Sequence, residues 1–195
     1  MFFLVRHAAH ELLQRVLCGR MPGVRLGNEG RAQAHRVAER LARERIAAIH
    51  SSPLERARET AAPISEKLHL EPEVHEALNE VDVGEWSGRD FATLHDDSRW
   101  AAWNNARSVS RPPGGETMLE VQGRVVRHLE SVREAYPDQA VVLVSHGDVI
   151  KAALLYCLGL PIDGYRLFDV SPASISTLVM GDWGAKVLAL NEVPA

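Results

Sequence analysis

The sequence has few cysteines, no long apolar run and no excess of positive charge. Its two cysteines, Cys18 and Cys157, form no C-x-x-C pair. This excludes a disulfide framework and indicates small core residues in a reducing compartment. No apolar run approaches the ~20 residues of a membrane-spanning helix. The apolar start, residues 1–5, is also too short for a signal peptide. These absences predict a cytoplasmic protein that has no membrane partner.

The charge balance limits the possible partners. There are 22 basic and 26 acidic side chains, so the formal net charge is −4 at pH 7. A nucleic-acid partner is not expected, because such binding needs a strongly basic face. No glycine-rich nucleotide motif is present, and the segment 10–14 (HELLQ) lacks the second histidine of a zinc-protease helix. The sequence therefore predicts no cofactor and no catalytic metal, and it leaves the oligomeric state open, a homodimer included.

Strand-like and helix-like segments alternate along the chain. Apolar runs predict strands at 2–5, 46–49 and 141–144, a short strand near Val74, and a terminal hairpin from 175–180 and 186–190. Helical spacing predicts helices after Gly30, from the capping patterns at Ser52 and Thr117, over 94–103 and over about 148–158. The expected fold is α/β: one domain over residues 1–195, a three-layer α/β/α sandwich whose sheet is mostly parallel with an antiparallel edge.

Two of the predicted strands end in a histidine. Phe3 to Val5 leads to Arg6 and His7, and Val142 to Val144 leads to Ser145, His146 and Gly147. In a doubly wound sheet, ligands bind beyond the carboxyl ends of the strands. One such histidine would favour an ordinary turn residue, but two with basic neighbours favour a binding site.

Two arginines point to an anionic ligand. Arg6 precedes the first histidine, and Arg56 lies in the first turn of the helix predicted after Ser52. A helix N-terminus attracts anions, and a guanidinium matches the oxygens of a phosphate group. Either arginine alone would be interpreted as a solvated surface charge.

The segment 78–86 supplies acidic side chains beside apolar ones. Glu80, Asp82 and Glu85 all lie within it. A carboxyl group that is partly removed from water can hold a proton near neutral pH and act as a general acid. Spacing alone does not choose among the three carboxylates.

Five ordered motifs together resemble the histidine phosphatase superfamily, also called the phosphoglycerate mutase-like family. The matching segments are Arg6-His7-Ala8, Ser52 to Thr60, Leu78 to Trp86, Gly114 to Thr117, and Val144 to Gly147. The resemblance implies that His7 is the nucleophile that becomes phosphorylated and that Glu80 is the proton donor. It also implies catalytic roles for Arg6, Arg56 and His146. Phosphate or substrate binding is implied for Arg6, Gly19, Arg56, Glu116, His146 and Gly147, with Glu116 as a pocket-lining acid.

The implied reaction is metal-independent hydrolysis of a small phosphorylated metabolite. The positive cluster is expected to keep His7 unprotonated. His146 is expected to assist phosphate binding best as an imidazolium. A phosphoglycerate mutase is the alternative, although the short stretch between Glu116 and His146 leaves no room for a mutase insert. A non-catalytic phospholigand-binding module is a further alternative, since the usual Gly, acid or amide and Thr after the nucleophile are replaced by Ala8, Ala9 and His10.

Other residues near these motifs have ordinary interpretations. His10 either replaces the missing threonine as a donor or faces solvent. Trp100 and Trp103 are three apart, which predicts core packing. Arg107 is expected to be a solvated charge, and Asp148 a helix-capping residue.

Overall fold

A six-stranded sheet lies at the centre of the computed structural model, which describes residues 1–195. Its strands are β1 (Phe2–Arg6), β3 (Ile46–Ser51), β4 (Pro72–Val74), β6 (Ala140–Ser145), β7 (Ile175–Gly181) and β8 (Gly184–Glu192). The spatial order is β4-β3-β6-β1-β7-β8. The strands β4, β3, β6 and β1 run parallel to one another. Strand β7 is antiparallel to β1, and β8 is antiparallel to β7. The predicted sheet is confirmed, including its antiparallel edge and terminal hairpin.

Helices cover both faces of this sheet. They are α1 (Asn28–Leu41), α2 (Glu55–Leu68), α3 (Phe91–Leu94), α4 (Ser98–Asn105), α5 (Met118–Ala135) and α6 (Gly147–Cys157). Two short strands, β2 (Val16–Leu17) and β5 (Arg89–Asp90), pair separately. Three 3₁₀ turns lie at Glu76–Leu78, Gly84–Trp86 and Ile162–Arg166. None of these helices is both long enough and apolar enough to cross a membrane.

The alternation of side chains along each strand divides the core into two layers. Phe3 and Val5 of β1 pack with α1 and α2, whereas Phe2 and Leu4 pack with α5 and α6. Successive side chains of a strand point to opposite faces, so a continuously apolar strand must be covered on both sides. The predicted three-layer sandwich follows from this pattern.

One of the two predicted helix caps is confirmed. The Thr117 hydroxyl accepts a hydrogen bond from the Glu120 amide, and the Glu120 carboxylate accepts one from the Thr117 amide. The Ser52 cap is wrong, because α2 begins at Glu55. The hydroxyl oxygen of Ser52 lies 2.7 Å from Nε2 of His146 and also accepts a hydrogen bond from the Leu54 amide, which precedes the helix. The helix predicted over 94–103 is divided into α3 and α4.

Strand register brings the predicted site residues to one edge. Arg6 of β1 pairs with Ser145 of β6, and Ser51 of β3 pairs with Val144. These strands therefore end at the same level. The residues that follow them, His7, Ser52 and His146, meet at the carboxyl edge of the sheet.

Candidate active site

A cavity of about 330 Å³ opens at this carboxyl edge. Arg6, His7, Arg56 and Glu80 line it. The ring of His146 is fully buried, with its centroid 5.1 Å from that of His7. The structure therefore brings together side chains from β1, the start of α2, the 78–86 segment and the end of β6.

His7 is held as a neutral imidazole with a defined orientation. Its Nδ1 lies 2.9 Å from the carbonyl oxygen of Ala8, a contact that requires Nδ1 to donate its proton. The unprotonated nitrogen is then Nε2. Burial, followed by the charges of Arg56 and Arg6, lowers the pKa of His7 well below its usual value. His7 is therefore suited to act as a nucleophile near neutral pH.

Arg56 is buried and Arg6 is partly buried, and neither has an acidic partner within ion-pair distance. Arg6 donates from Nη1 to the carbonyl oxygen of Val170, and Arg56 donates from Nη2 to that of Gly19. Nε of Arg6 and both Nε and Nη1 of Arg56 have no hydrogen-bond partner. Buried cations are normally paired, because desolvation of a charge is costly. Two guanidinium groups with free donors at one cavity have the chemistry to bind an anion such as a phosphate group.

His146 differs from the prediction that it is an imidazolium. Burial lowers its pKa well below the usual value, and the positive charge of Arg56 acts in the same direction. The ring is therefore neutral at pH 7. Its Nδ1 lies 3.7 Å from Oε2 of Glu80, beyond hydrogen-bond distance, and has no hydrogen-bond partner.

Of the three carboxylates in the segment 78–86, Glu80 is the one that lines the cavity. Burial raises its pKa to about 7, with a further contribution from the negative charge of Asp148. Asp82 and Glu85 have side chains that are 45% and 68% exposed, and neither lines the cavity. Burial thus distinguishes among the three carboxylates that the sequence leaves equivalent.

Gly19 and Gly147 lie beside the two arginines. Gly19 has a φ of +48°, and a β-carbon there would lie 2.5 Å from Cγ2 of Val83. A β-carbon on Gly147 would lie 3.3 Å from Cζ of Arg6. Both positions therefore let the backbone approach the site closely, and both line the cavity.

Glu116 does not line this cavity, contrary to the prediction. Its carboxylate accepts hydrogen bonds from Arg20 and Arg124 at 2.8 and 2.9 Å. The same two arginines donate to the backbone carbonyl oxygen of Glu80. Glu116 is committed to holding two guanidiniums, and through them it positions the segment that carries Glu80.

The predictions for Arg107 and Asp148 are wrong. Arg107 is buried, with its guanidinium 3.8 Å from the ring centroid of Trp103 and 3.7 Å from that of Tyr165. It donates to the Asp148 carboxylate at 2.8 Å. Asp148 makes no capping hydrogen bond. Although burial opposes it, Arg107 holds the pKa of Asp148 below its usual range, which keeps a negative charge near Glu80.

Replacing Arg107 by methionine is expected to lower the free energy of unfolding by about 2–4 kcal/mol. The change removes both aromatic contacts and leaves Asp148 without its cationic partner. Urea unfolding measures the loss. Arg111→Met is the matched control: Arg111 pairs with Glu120 at the surface, so its effect should stay within about 1 kcal/mol. Equal losses in both variants would contradict the burial argument.

The sequence did not identify three further residues of the cavity wall: Asp148, Lys151 and Asp169. Helical spacing offered a signal for Lys151, because it lies one turn after Gly147 on α6. His10 also lines the wall, and its ring centroid is 5.5 Å from that of His7. His10 is buried, so the structure excludes the alternative in which it faces solvent.

Comparison with known proteins identifies the same family that the motifs resemble. The family model of the histidine phosphatase superfamily (branch 1) matches residues 2–193. Phosphoserine phosphatase 1 of Hydrogenobacter thermophilus is 33% identical over 196 residues, which cover 96% of this chain and 90% of the relative.

Solved structures of similar fold include two phosphatases. A mycobacterial glucosyl-3-phosphoglycerate phosphatase is similar with a TM-score of 0.89 and 27% identity, and the match covers 98% of both chains. The alpha-ribazole phosphatase of Shigella flexneri is similar with a TM-score of 0.87 and 25% identity, over 98% of this chain and 96% of that one. The predicted family resemblance is confirmed.

Proposed function

The chain belongs to the histidine phosphatase superfamily, and from this we propose that it hydrolyses small phosphomonoesters through a phosphohistidine at His7, without a metal ion. One observation carries the proposal: a buried neutral imidazole lies beside two guanidiniums that have buried donors without partners, and a carboxyl group with a pKa of about 7 faces the same cavity. Nucleophile, anion site and acid are thus all available in one place.

In the first step, Nε2 of His7 attacks the phosphorus atom opposite the ester oxygen. The N–P bond forms as the P–O ester bond breaks, and Glu80 gives its proton to the departing alcohol. The raised pKa of Glu80 supports this role, because a substantial fraction of the carboxyl groups is protonated at pH 7. Nδ1 of His7 keeps its proton and its contact with Ala8.

In the second step, the Glu80 carboxylate takes a proton from water. The water oxygen attacks phosphorus, the N–P bond breaks, and inorganic phosphate leaves. Glu80 is then protonated and His7 is again a neutral imidazole, so the cycle is closed. Glu80 therefore donates a proton in the first step and accepts one in the second.

The arginines supply the charge that a metal ion supplies in other phosphoryl-transfer enzymes. Arg6 and Arg56 offer free N–H groups to the equatorial oxygens, whose negative charge must be stabilised in the transition state. The carbonyl oxygens of Val170 and Gly19 hold the two guanidiniums in place. Preorganised donors of this kind lower the barrier without moving during the reaction.

The substrate class follows from the size and charge of the cavity wall. Beyond the phosphate site, the wall carries Lys151 and two carboxylates, Asp148 and Asp169. The named relatives act on phosphoserine, a glucosyl phosphoglycerate and alpha-ribazole phosphate, which share a phosphate ester but differ in the alcohol. A small polar metabolite fits these features.

Turnover of an aryl phosphate in excess chelator tests this proposal. We expect release of inorganic phosphate and, after rapid acid-free quenching, a phosphoryl group on His7 that is labile in acid and stable in alkali. Phosphate binding without turnover or labelling would instead favour a non-catalytic module. With 3-phosphoglycerate and a bisphosphoglycerate primer, formation of 2-phosphoglycerate faster than free phosphate would favour a mutase.

A further inference from the structure

Three histidines from separate elements meet at the β4 side of the sheet, outside the catalytic cavity. His50 lies in β3, His75 directly follows β4, and His128 lies in α5. One ring nitrogen of each lies within 4.8 Å of the other two. The ring centroids are 4.3 to 5.2 Å apart. Three imidazoles therefore converge on one point.

A carboxylate completes the cluster. Glu73 pairs with His50 in the parallel register of β4 and β3. Its Oε2 lies 3.8 Å from Nε2 of His50 and 3.4 Å from Nε2 of His75. The Glu73 side chain is more than half exposed, so it can turn towards a ligand at the centre of the cluster.

The cluster contains an unsatisfied buried nitrogen. His50 is almost fully buried, and its Nε2 has no hydrogen-bond partner. A buried polar atom without a partner is costly, and it marks a place where a ligand is stabilising.

We propose that His50, His75 and His128 bind one divalent transition metal ion, with Zn²⁺ as the fitting ion and Glu73 or water as the fourth ligand. Zinc takes nitrogen and oxygen ligands tetrahedrally, with Zn–N bonds of about 2.0–2.1 Å, so its ligand nitrogens lie roughly 3.4 Å apart. Nδ1 of His50 is hydrogen-bonded to Nε2 of His128 at 3.2 Å, so the unpartnered Nε2 of His50 is the nitrogen that offers itself to the ion, with Oε2 of Glu73 beside it and beside Nε2 of His75. The ligand atoms of the three histidines lie within 4.8 Å of one another, and side-chain rotations must close these separations to the spacing that zinc requires.

The role of this ion is structural. It links β3, the segment after β4, and α5, which lie far apart in the sequence. None of the three histidines lines the catalytic cavity, so the ion takes no part in the phosphoryl-transfer steps. His75 is one-third exposed and gives the ion a path from solvent.

Calorimetric titration of the tag-free, metal-stripped full chain with Zn²⁺ tests the site. We expect one ion per chain. At a hundredfold excess over Kd, the ion should raise Tm by about 5–10 °C, because it binds the folded state alone. Binding well below one ion per chain, or no rise in Tm, would overturn the proposal.

Single substitutions locate the ion. His75→Ala and His128→Ala should each weaken binding by at least about tenfold, the effect expected when a ligand is lost. His35→Ala, at an exposed position of α1, and His7→Ala, in the catalytic cavity, should bind Zn²⁺ as the unchanged chain does. Loss of binding in His7→Ala, or normal binding in both cluster variants, would overturn the assignment. These readouts do not depend on turnover, so this proposal and the proposed function fail separately.

Discussion

Replacing His7 by alanine is expected to lower turnover of every phosphomonoester by roughly 10⁴- to 10⁶-fold, the range seen when a nucleophile is removed. We expect no neighbouring imidazole to replace it, because Nε2 of His146 contacts the Ser52 hydroxyl at 2.7 Å and the ring of His10 is centred 5.5 Å from that of His7. Steady-state kinetics measure the loss, and phosphoryl labelling of the protein should disappear with it.

His35→Ala is the matched control for that result. His35 is an exposed histidine of α1, so turnover and labelling should be unchanged. If His7→Ala kept more than about 1% of the activity, or kept an acid-labile phosphoryl group, His7 would not be the nucleophile. Circular dichroism of both variants separates a chemical loss from a folding defect.

Glu80→Gln is expected to lower kcat/KM for alkyl phosphates by about 10²–10⁴-fold and for aryl phosphates by less than about tenfold. An alkoxide is a poor leaving group and needs the proton, whereas a phenolate does not. The ratio kcat/KM reports the steps up to phosphorylation of His7, so the second role of Glu80 does not enter it. Slow dephosphorylation should instead appear as accumulated phosphoenzyme.

The pH dependence carries the same information. Glu80 acts as an acid only when protonated, and burial raises its pKa to about 7. For alkyl phosphates, kcat/KM of the unchanged enzyme should therefore fall as the pH rises through about 7, and Glu80→Gln should lack this fall. Glu85→Gln is the control, because that carboxylate is exposed in the same segment. Equal losses on both substrate types in Glu80→Gln would mean that another group is the acid.

The sequence predicted the layers and the sheet because those depend on local pattern. Apolar runs such as residues 141–144 have to be covered on both faces, and the Thr117–Glu120 cap is formed within four residues. Ser52 has the same local pattern, yet α2 begins three residues after it, at Glu55. Its hydroxyl accepts a hydrogen bond from the Leu54 amide and contacts His146 after β6, a tertiary contact that no local pattern contains.

The sequence motifs predicted the positions of several site residues in the fold, but not which acidic side chain is buried among them. The two strand-end histidines and both arginines are where the sequence placed them, but the choice of Glu80 over Asp82 needed burial, which no spacing contains. Arg107 was misjudged because its aromatic partners come from α4 and from the distant Tyr165.

The sequence did not predict the histidine cluster of the proposed zinc site, for a related reason. His50, His75 and His128 have none of the short spacings of a metal motif, and three elements must pack before they meet. For Glu116, the motif match predicted a pocket-lining acid. Its carboxylate instead accepts hydrogen bonds from Arg20 and Arg124 and does not line the cavity.

The pairing of β1 with β6 also decides when the enzyme becomes active during its synthesis. His7 precedes β6 in the sequence, and β6 is the strand that brings His146 beside it. Closing the long loop between β1 and β6 carries an entropic cost that local contacts do not repay. A nascent chain that lacks β6 therefore carries His7 without His146, and the candidate site is complete only when β6 docks between β3 and β1.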